Sequence, residues 1–88
     1  MKLLFRSHAL IRMIERNISK ECIEKVIKEG TIIESYPDDK PYPSFLQLGK
    51  CNERPIHLVY AKNEDVFIII TVYEPDPKRW EEGFTKRS

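Results

Sequence analysis

The chain reads as an α+β domain. Two N-terminal helices are expected on one face of a four- to five-stranded antiparallel sheet, with a short C-terminal helix. Three observations predict this. Apolar residues recur at helical spacing before Gly30. After Gly30 the pattern turns β-branched and alternating. The strand-like runs then follow one another through short connections, which favours antiparallel pairing. With 88 residues there is room for one core, so 1–88 is expected to be a single domain.

Residues 2 to 6 predict a short strand with Leu3 and Phe5 on one face. Ser7 reads as a helix N-cap, because its hydroxyl can accept from first-turn amides. Residues 8 to 16 predict a helix with Leu10, Met13 and Ile14 as its apolar face. Asn17 closes it in a left-handed conformation, and Ile18 is an apolar plug before the second N-cap, Ser19. Residues 20 to 29 put Cys22, Ile23, Val26 and Ile27 on one face. Glu21–Lys25 and Glu24–Lys28 run acid to base on the solvated side. Gly30 is the stop.

Thr31 to Tyr36 is the first strand after the helices, and Pro37 to Pro43 an irregular loop. Ser44 to Lys50 alternates, with Leu46 and Leu48 on one face and Phe45 and Gln47 on the other. Gly49 to Arg54 is a turn region. Pro55 to Ala61 is a strand, and residues 62 to 65 a hairpin turn with Asn63 as its tight residue. Val66 to Tyr73 is apolar on both faces and belongs where both are covered. Glu74-Pro75-Asp76-Pro77 stops it. Lys78 to Phe84 predicts a short helix with Trp80 and Phe84 on one side.

Composition excludes several functions. Lys plus Arg is 15 and Asp plus Glu is 14, so a polybasic nucleic-acid binder is not expected. The sum conceals segregation. In residues 1–16, Lys2, Arg6, Arg12 and Arg16 face only Glu15, whereas residues 63–77 hold four acids and no base. No signal peptide and no run of about 18 apolar residues is visible, so no membrane partner is expected and the cytoplasm is the expected compartment. Cys22 and Cys51 stand apart in sequence. Neither a zinc site nor a disulfide framework is expected, and Cys22 reads as a small hydrophobe. Asp38 and Asp39, with Glu34 nearby, could be read as a metal site, but adjacent aspartates in a Pro-rich loop are more often solvated and no third ligand is spaced to join them. With three glycines, no phosphate loop and no nucleophile elbow, the sequence points to no cofactor and no metal.

Three groups of residues carry candidate chemistry. His8, Arg12 and Arg16 share one helix ridge, opposite Leu10 and Ile14. That ridge is either a solvated face or a surface for RNA or a protein partner. His57 lies mid-strand and shares a face with Val59 and Ala61. It is either a satisfied core histidine or a titratable group lining a cleft. Tyr73, Glu74, Asp76, Lys78, Arg79 and Trp80 cluster where the strongest strand ends. They either anchor the tail or bind a phosphodiester with a stacked base.

Three stretches then carry a resemblance. They are Ser7-His8-Ala9 with Arg12, Arg16 and Ile18-Ser19; Leu48-Gly49-Lys50 with Arg54-Pro55-Ile56-His57-Leu58-Val59; and Ile70-Thr71-Val72-Tyr73-Glu74-Pro75-Asp76 with Trp80. Together they resemble a family of small prokaryotic proteins carrying a domain of unknown function. The element order is similar to that of the BrnT and RelE-like toxins of toxin–antitoxin systems. The resemblance implies a compact sheet with two helices and a small cognate antitoxin partner, of the kind with a zinc-finger domain. It also implies messenger-RNA cleavage. The near-neutral charge and the stretch Tyr73-Glu74-Pro75-Asp76-Pro77 depart from the basic, Arg- and Lys-rich ends of RelE-like ribonucleases.

Two functions follow. The first is a toxin-like, metal-independent RNA endonuclease. His57 would be general base or acid, Tyr73 would hold or protonate an oxygen, and Arg79 or Arg12 would stabilise the phosphorane. His8, Arg12, Arg16 and Lys78 would contact RNA, and Trp80 would stack a base. The second is a non-catalytic protein-interaction module.

Overall fold

The computed structural model describes residues 1–87. Five strands and two helices follow the order β1 (Lys2–Phe5), α1 (Ser7–Arg16), α2 (Lys20–Glu29), β2 (Thr31–Tyr36), β3 (Ser44–Cys51), β4 (Arg54–Asn63) and β5 (Val66–Tyr73). They form one α+β sheet in the spatial order β1-β5-β4-β3-β2. Strands β2 to β5 pair antiparallel, as their short connections require.

The sheet is mixed, not wholly antiparallel. β1 pairs parallel with β5, from Lys2 opposite Val66 to Phe5 opposite Ile69. Both helices and three strands separate these partners, a connection long enough for the chain to return in the same direction. β1 ends at Phe5, so only the first half of β5 has a neighbour on that side. α1 also packs against β5.

α1 is rotated from the expected orientation. Met13 of the expected apolar face packs against the core, but Leu10, Ile11 and Ile14 are 46%, 54% and 82% exposed, whereas Ala9 is fully buried. The methyl of Ala9 lets the helix approach β5 closely, and Leu10, Ile11 and Ile14 face away. Periodicity sets the two faces of a helix but not which of them meets the sheet. The N-cap is Arg6, with no side-chain hydrogen bond, and Ser7 is already helical. Asn17 ends the helix at φ 54°, as expected. The Asn17 and Ile18 amides donate to the Ile14 and Met13 carbonyls, and Ile18 is buried.

α2 follows its sequence closely. Ser19 accepts from the Cys22 amide at 3.1 Å, and Cys22, Ile23 and Val26 face the core. Glycines let this helix sit tight on β3. A Cβ on Gly30 would lie 2.4 Å from the Leu48 carbonyl oxygen, and one on Gly49 2.9 Å from Val26 Cγ1. Gly49 is therefore a strand residue, and the turn is only Asn52-Glu53, both at positive φ. In the next hairpin Glu64, not Asn63, takes the left-handed conformation. The same close packing joins Cys22 to Cys51 as a disulfide, with Cα atoms 5.7 Å apart. Cysteines that stand 29 residues apart in sequence thus meet in the fold, contrary to expectation.

The core lies between the helices and one sheet face. Ala9, Ile18, Ile23 and Val26 meet Ile56, Leu58, Tyr60, Ile69 and Val72. Within it Gln47 donates to the Val26 and Ile27 carbonyls at 2.8 and 3.1 Å and accepts from the Tyr60 hydroxyl at 2.7 Å. The Val26 carbonyl also accepts from the Gly30 amide, so the sheet adds a second bond there and supplies a donor to the Ile27 carbonyl at the end of α2.

No C-terminal helix forms. After Asp76 the chain turns, passes Gly83 at φ 90° and Phe84 at φ 61°, and folds back so that Trp80 bridges Arg87. Only a turn closes, with the Arg79 and Trp80 amides donating to the Asp76 carbonyl, because the Glu81 amide then turns to the Lys86 carbonyl and positive φ at Gly83 and Phe84 ends any helical path. The folded-back tail covers part of the second sheet face. No helix among the described residues is long and apolar enough to cross a membrane.

Candidate functional site

The site is set by two β-bulges. Val59 pairs with Thr71 but Tyr60 pairs with Ile69, so β5 carries one extra residue at Ile70. A bulge shifts the side-chain alternation by one. Val72 therefore enters the core, and Tyr73 emerges on the tail-covered face, directly opposite His57. A second irregularity at Ile33 places Glu34 opposite Leu46, on that same face. Register alone thus puts Glu34, His57 and Tyr73 under the tail.

His57 is fully buried. Its Nε2 lies 2.9 Å from the Phe84 carbonyl oxygen, which can only accept. That fixes the proton on Nε2 and leaves Nδ1 as acceptor for the Tyr73 hydroxyl at 3.3 Å. Trp80 closes the ring from the side, edge to face at 4.3 Å between centroids. Burial pushes the His57 imidazole below its ordinary value. The Phe84 carbonyl opposes this, Arg87 adds to it and Glu34 opposes it. Burial also raises the Tyr73 phenol, with Arg87 opposing. Both groups are therefore neutral near pH 7, and the pair is a phenol donating to an imidazole.

Tyr73 opens onto a groove of about 470 Å³ between α1, the free half of β5 and the tail. His8, Arg12 and Arg16 line one wall; Glu74, Arg79 and Trp80 contribute the others. The ridge of α1 and the cluster after β5, separate in sequence, thus converge. His57 does not itself line the groove but touches Tyr73 and Trp80, which do, and Lys78 does not line it. Trp80 is 5% exposed, and the Arg87 guanidinium lies over its ring at 4.6 Å. The indole face expected to receive a base is thus covered by a guanidinium.

Three residues with no role in this site on the sequence reading belong to it or brace it. Arg87 lines the groove and forms a forked pair with Glu34, Nε and Nη2 donating at 3.2 and 3.1 Å. Glu34 also accepts from the Tyr36 hydroxyl, which with Arg87 holds its carboxyl below the usual range. Arg54 donates to the Arg16 and Asn17 carbonyls and to Glu74, all within 3.0 Å. It ties the end of α1 to the end of β5. Only Gly83, a residue suited to a reversal, hinted that the tail folds back.

A second cavity, about 750 Å³, lies beside Gly30, Gly49 and Phe84. It is larger, but it holds none of the candidate residues, and its Lys25, Lys50, Glu29 and Glu53 mix both signs. Among the described residues no three His, Cys, Asp or Glu side chains cluster at metal-binding geometry.

Residues 5–74 match the model of a family described as a domain of unknown function, DUF4258. No curated protein and no solved structure matches the chain.

Proposed function

The chain belongs to the DUF4258 family, and from the groove built on this domain we propose that the protein is a toxin-like RNA endonuclease, one half of a toxin–antitoxin pair. One observation carries the chemistry. A neutral tyrosine–histidine pair opens into a groove with four guanidiniums, those of Arg12, Arg16, Arg79 and Arg87. Guanidiniums suit phosphate, and a phenol backed by an imidazole suits proton transfer.

Cleavage uses the RNA 2′-hydroxyl as nucleophile. Tyr73 takes its proton while passing its own to His57 Nδ1. The 2′-oxygen then bonds to phosphorus and the bond to the 5′-oxygen breaks. The relay runs back and delivers the proton to the leaving 5′-oxygen. The products are a 2′,3′-cyclic phosphate and a 5′-hydroxyl. Arg79 and Arg12 stabilise the phosphorane charge. His8 and Arg16 hold the strand, and no metal enters the scheme.

Incubation of single-stranded RNA with the protein in excess chelator tests this. Cyclic-phosphate ends are expected, and Tyr73→Phe should cut the rate by about 10²-fold, the usual share of a proton-transfer group. Intact RNA after wild-type treatment would sink the catalytic reading. The second reading, a non-catalytic interaction module, is favoured by the outward apolar stripe Leu10, Ile11 and Ile14. Under it the small antitoxin-like partner binds while RNA stays uncut.

A further inference from the structure

Arg87 and Trp80 together form a layered surface. The guanidinium lies over the indole at 4.6 Å, and the indole rests edge-on against buried His57. Glu34 holds Nε and Nη2 of the same guanidinium in a fork, which sets the plane of the group. Trp80 is almost wholly buried, yet the Arg87 side chain is 61% exposed and lines the groove. One side of the guanidinium is therefore spent on Trp80, while the residue as a whole stays open to the groove.

A planar cation fixed in this way has a specific use. Guanidinium planes stack on nucleobases as aromatic rings do, and every base offers a π face. A lysine in the same place would supply charge without a plane. An arginine needed only for phosphate attraction has no reason to be held both over a buried indole and in a carboxylate fork. We infer that Arg87, backed by Trp80 and aimed by Glu34, is the platform on which a nucleobase of single-stranded RNA stacks. This rests on the RNA reading of the groove and names the base contact within it. Glu34 is a positioning residue, acting through Arg87.

The test uses two strands of equal length. One is a 2′-O-methyl RNA, which the protein cannot cleave because the nucleophile is blocked. The other is the same sugar–phosphate chain without bases. Binding is followed by fluorescence anisotropy of labelled strands and by the emission of Trp80, the single tryptophan. Wild-type protein should bind the base-bearing strand more tightly, and that strand alone should change Trp80 emission. Arg87→Lys keeps the charge and should weaken the base-bearing strand about tenfold, the scale of one stacked base. It should leave the abasic strand within about twofold. Glu34→Gln should weaken the same strand, and its effect should vanish once Arg87 is already lysine. Equal loss on both strands, or no loss on either, overturns the platform. If the wild-type protein binds neither strand, it is the RNA reading of the groove that falls.

Discussion

Arg54→Ala is the most informative single change to the scaffold of the groove. Arg54 Nη1 donates to the Arg16 carbonyl at 2.9 Å and to Glu74 at 3.0 Å, and Nη2 donates to the Asn17 carbonyl at 3.0 Å. The two carbonyls belong to the end of α1, where no further helical turn can satisfy them. Arg54 is 33% exposed, so each bond to a carbonyl contributes about 1 kcal/mol, below the value for a sealed site. The pair with Glu74, itself 42% exposed, adds only about 0.5 kcal/mol. Arg54→Ala should therefore cost about 2 to 3 kcal/mol, against a total of roughly 5 to 10 kcal/mol for a domain of this size. In urea that moves the midpoint down by about 2 to 3 M, taking a slope of about 1 kcal/mol per molar. Far-UV circular dichroism follows it. Glu74→Gln should cost about 0.5 kcal/mol. Arg54→Lys should fall between, because an ammonium lacks the fork. A loss within 0.5 kcal/mol for Arg54→Ala, on the order of a neutral surface change, refutes the reasoning. So does a Glu74→Gln loss equal to it, which would place the energy in the ion pair and not in the cap.

Two further outcomes test the core and the buried histidine. Tyr60→Phe strands the Gln47 carbonyl oxygen in the core and should cost about 1 to 2 kcal/mol; combined with Gln47→Leu the two losses should fall short of additive, and strict additivity would show that the residues are not coupled. The His57 proton affinity is depressed by burial from its ordinary 6.5, so the unfolded chain binds protons first as pH falls. The stabilising effect of keeping it neutral is full above about pH 6.5 and drains away as pH drops toward the folded value. Urea melts at pH 7.5 and pH 5 should show a loss that His57→Gln abolishes, and an equal loss in both proteins would assign the acid sensitivity elsewhere.

Local signals in the sequence found every element but misread the connections between them. Ser19, Asn17 and Gly30 mark helix ends through backbone chemistry that needs no tertiary partner. The alternation in Ser44 to Lys50 placed Leu46 opposite Gln47 for the same reason. What failed depends on long-range packing. β1 is a strand of four residues, too short to announce that its partner is β5 or that it runs parallel. α1 is amphipathic in sequence, yet Ala9 and not Leu10 meets the sheet. The bulge at Ile70 is invisible in a run of three isoleucines, although it alone decides that Tyr73 faces His57. The candidate list nonetheless gathered most of the groove. His8, Arg12, Arg16, Tyr73, Arg79 and Trp80 all line it, because the ridge of α1 and the end of β5 each kept their polar residues together.

The near-neutral net charge acquires a physical meaning in this arrangement. Four guanidiniums line the groove against the carboxylates of Glu74 and Asp76. Two of the four have acidic partners beyond the lining: Arg12 pairs with Glu15 at 3.1 Å, and Arg87 with Glu34. The four guanidiniums are thus matched by four carboxylates, and Lys50 lies at the other cavity where it adds nothing to this one. Electrostatic attraction to a strand scales with the number of phosphates neutralised. A groove with few uncompensated cations offers little to a strand by charge alone, so the RNA reading proposed above requires contacts to the bases. Trp80 cannot do so directly while Arg87 covers it. Under the proposed RNA reading Glu34 therefore has two effects: it neutralises the Arg87 charge and, through its fork, orients the guanidinium that a base would meet.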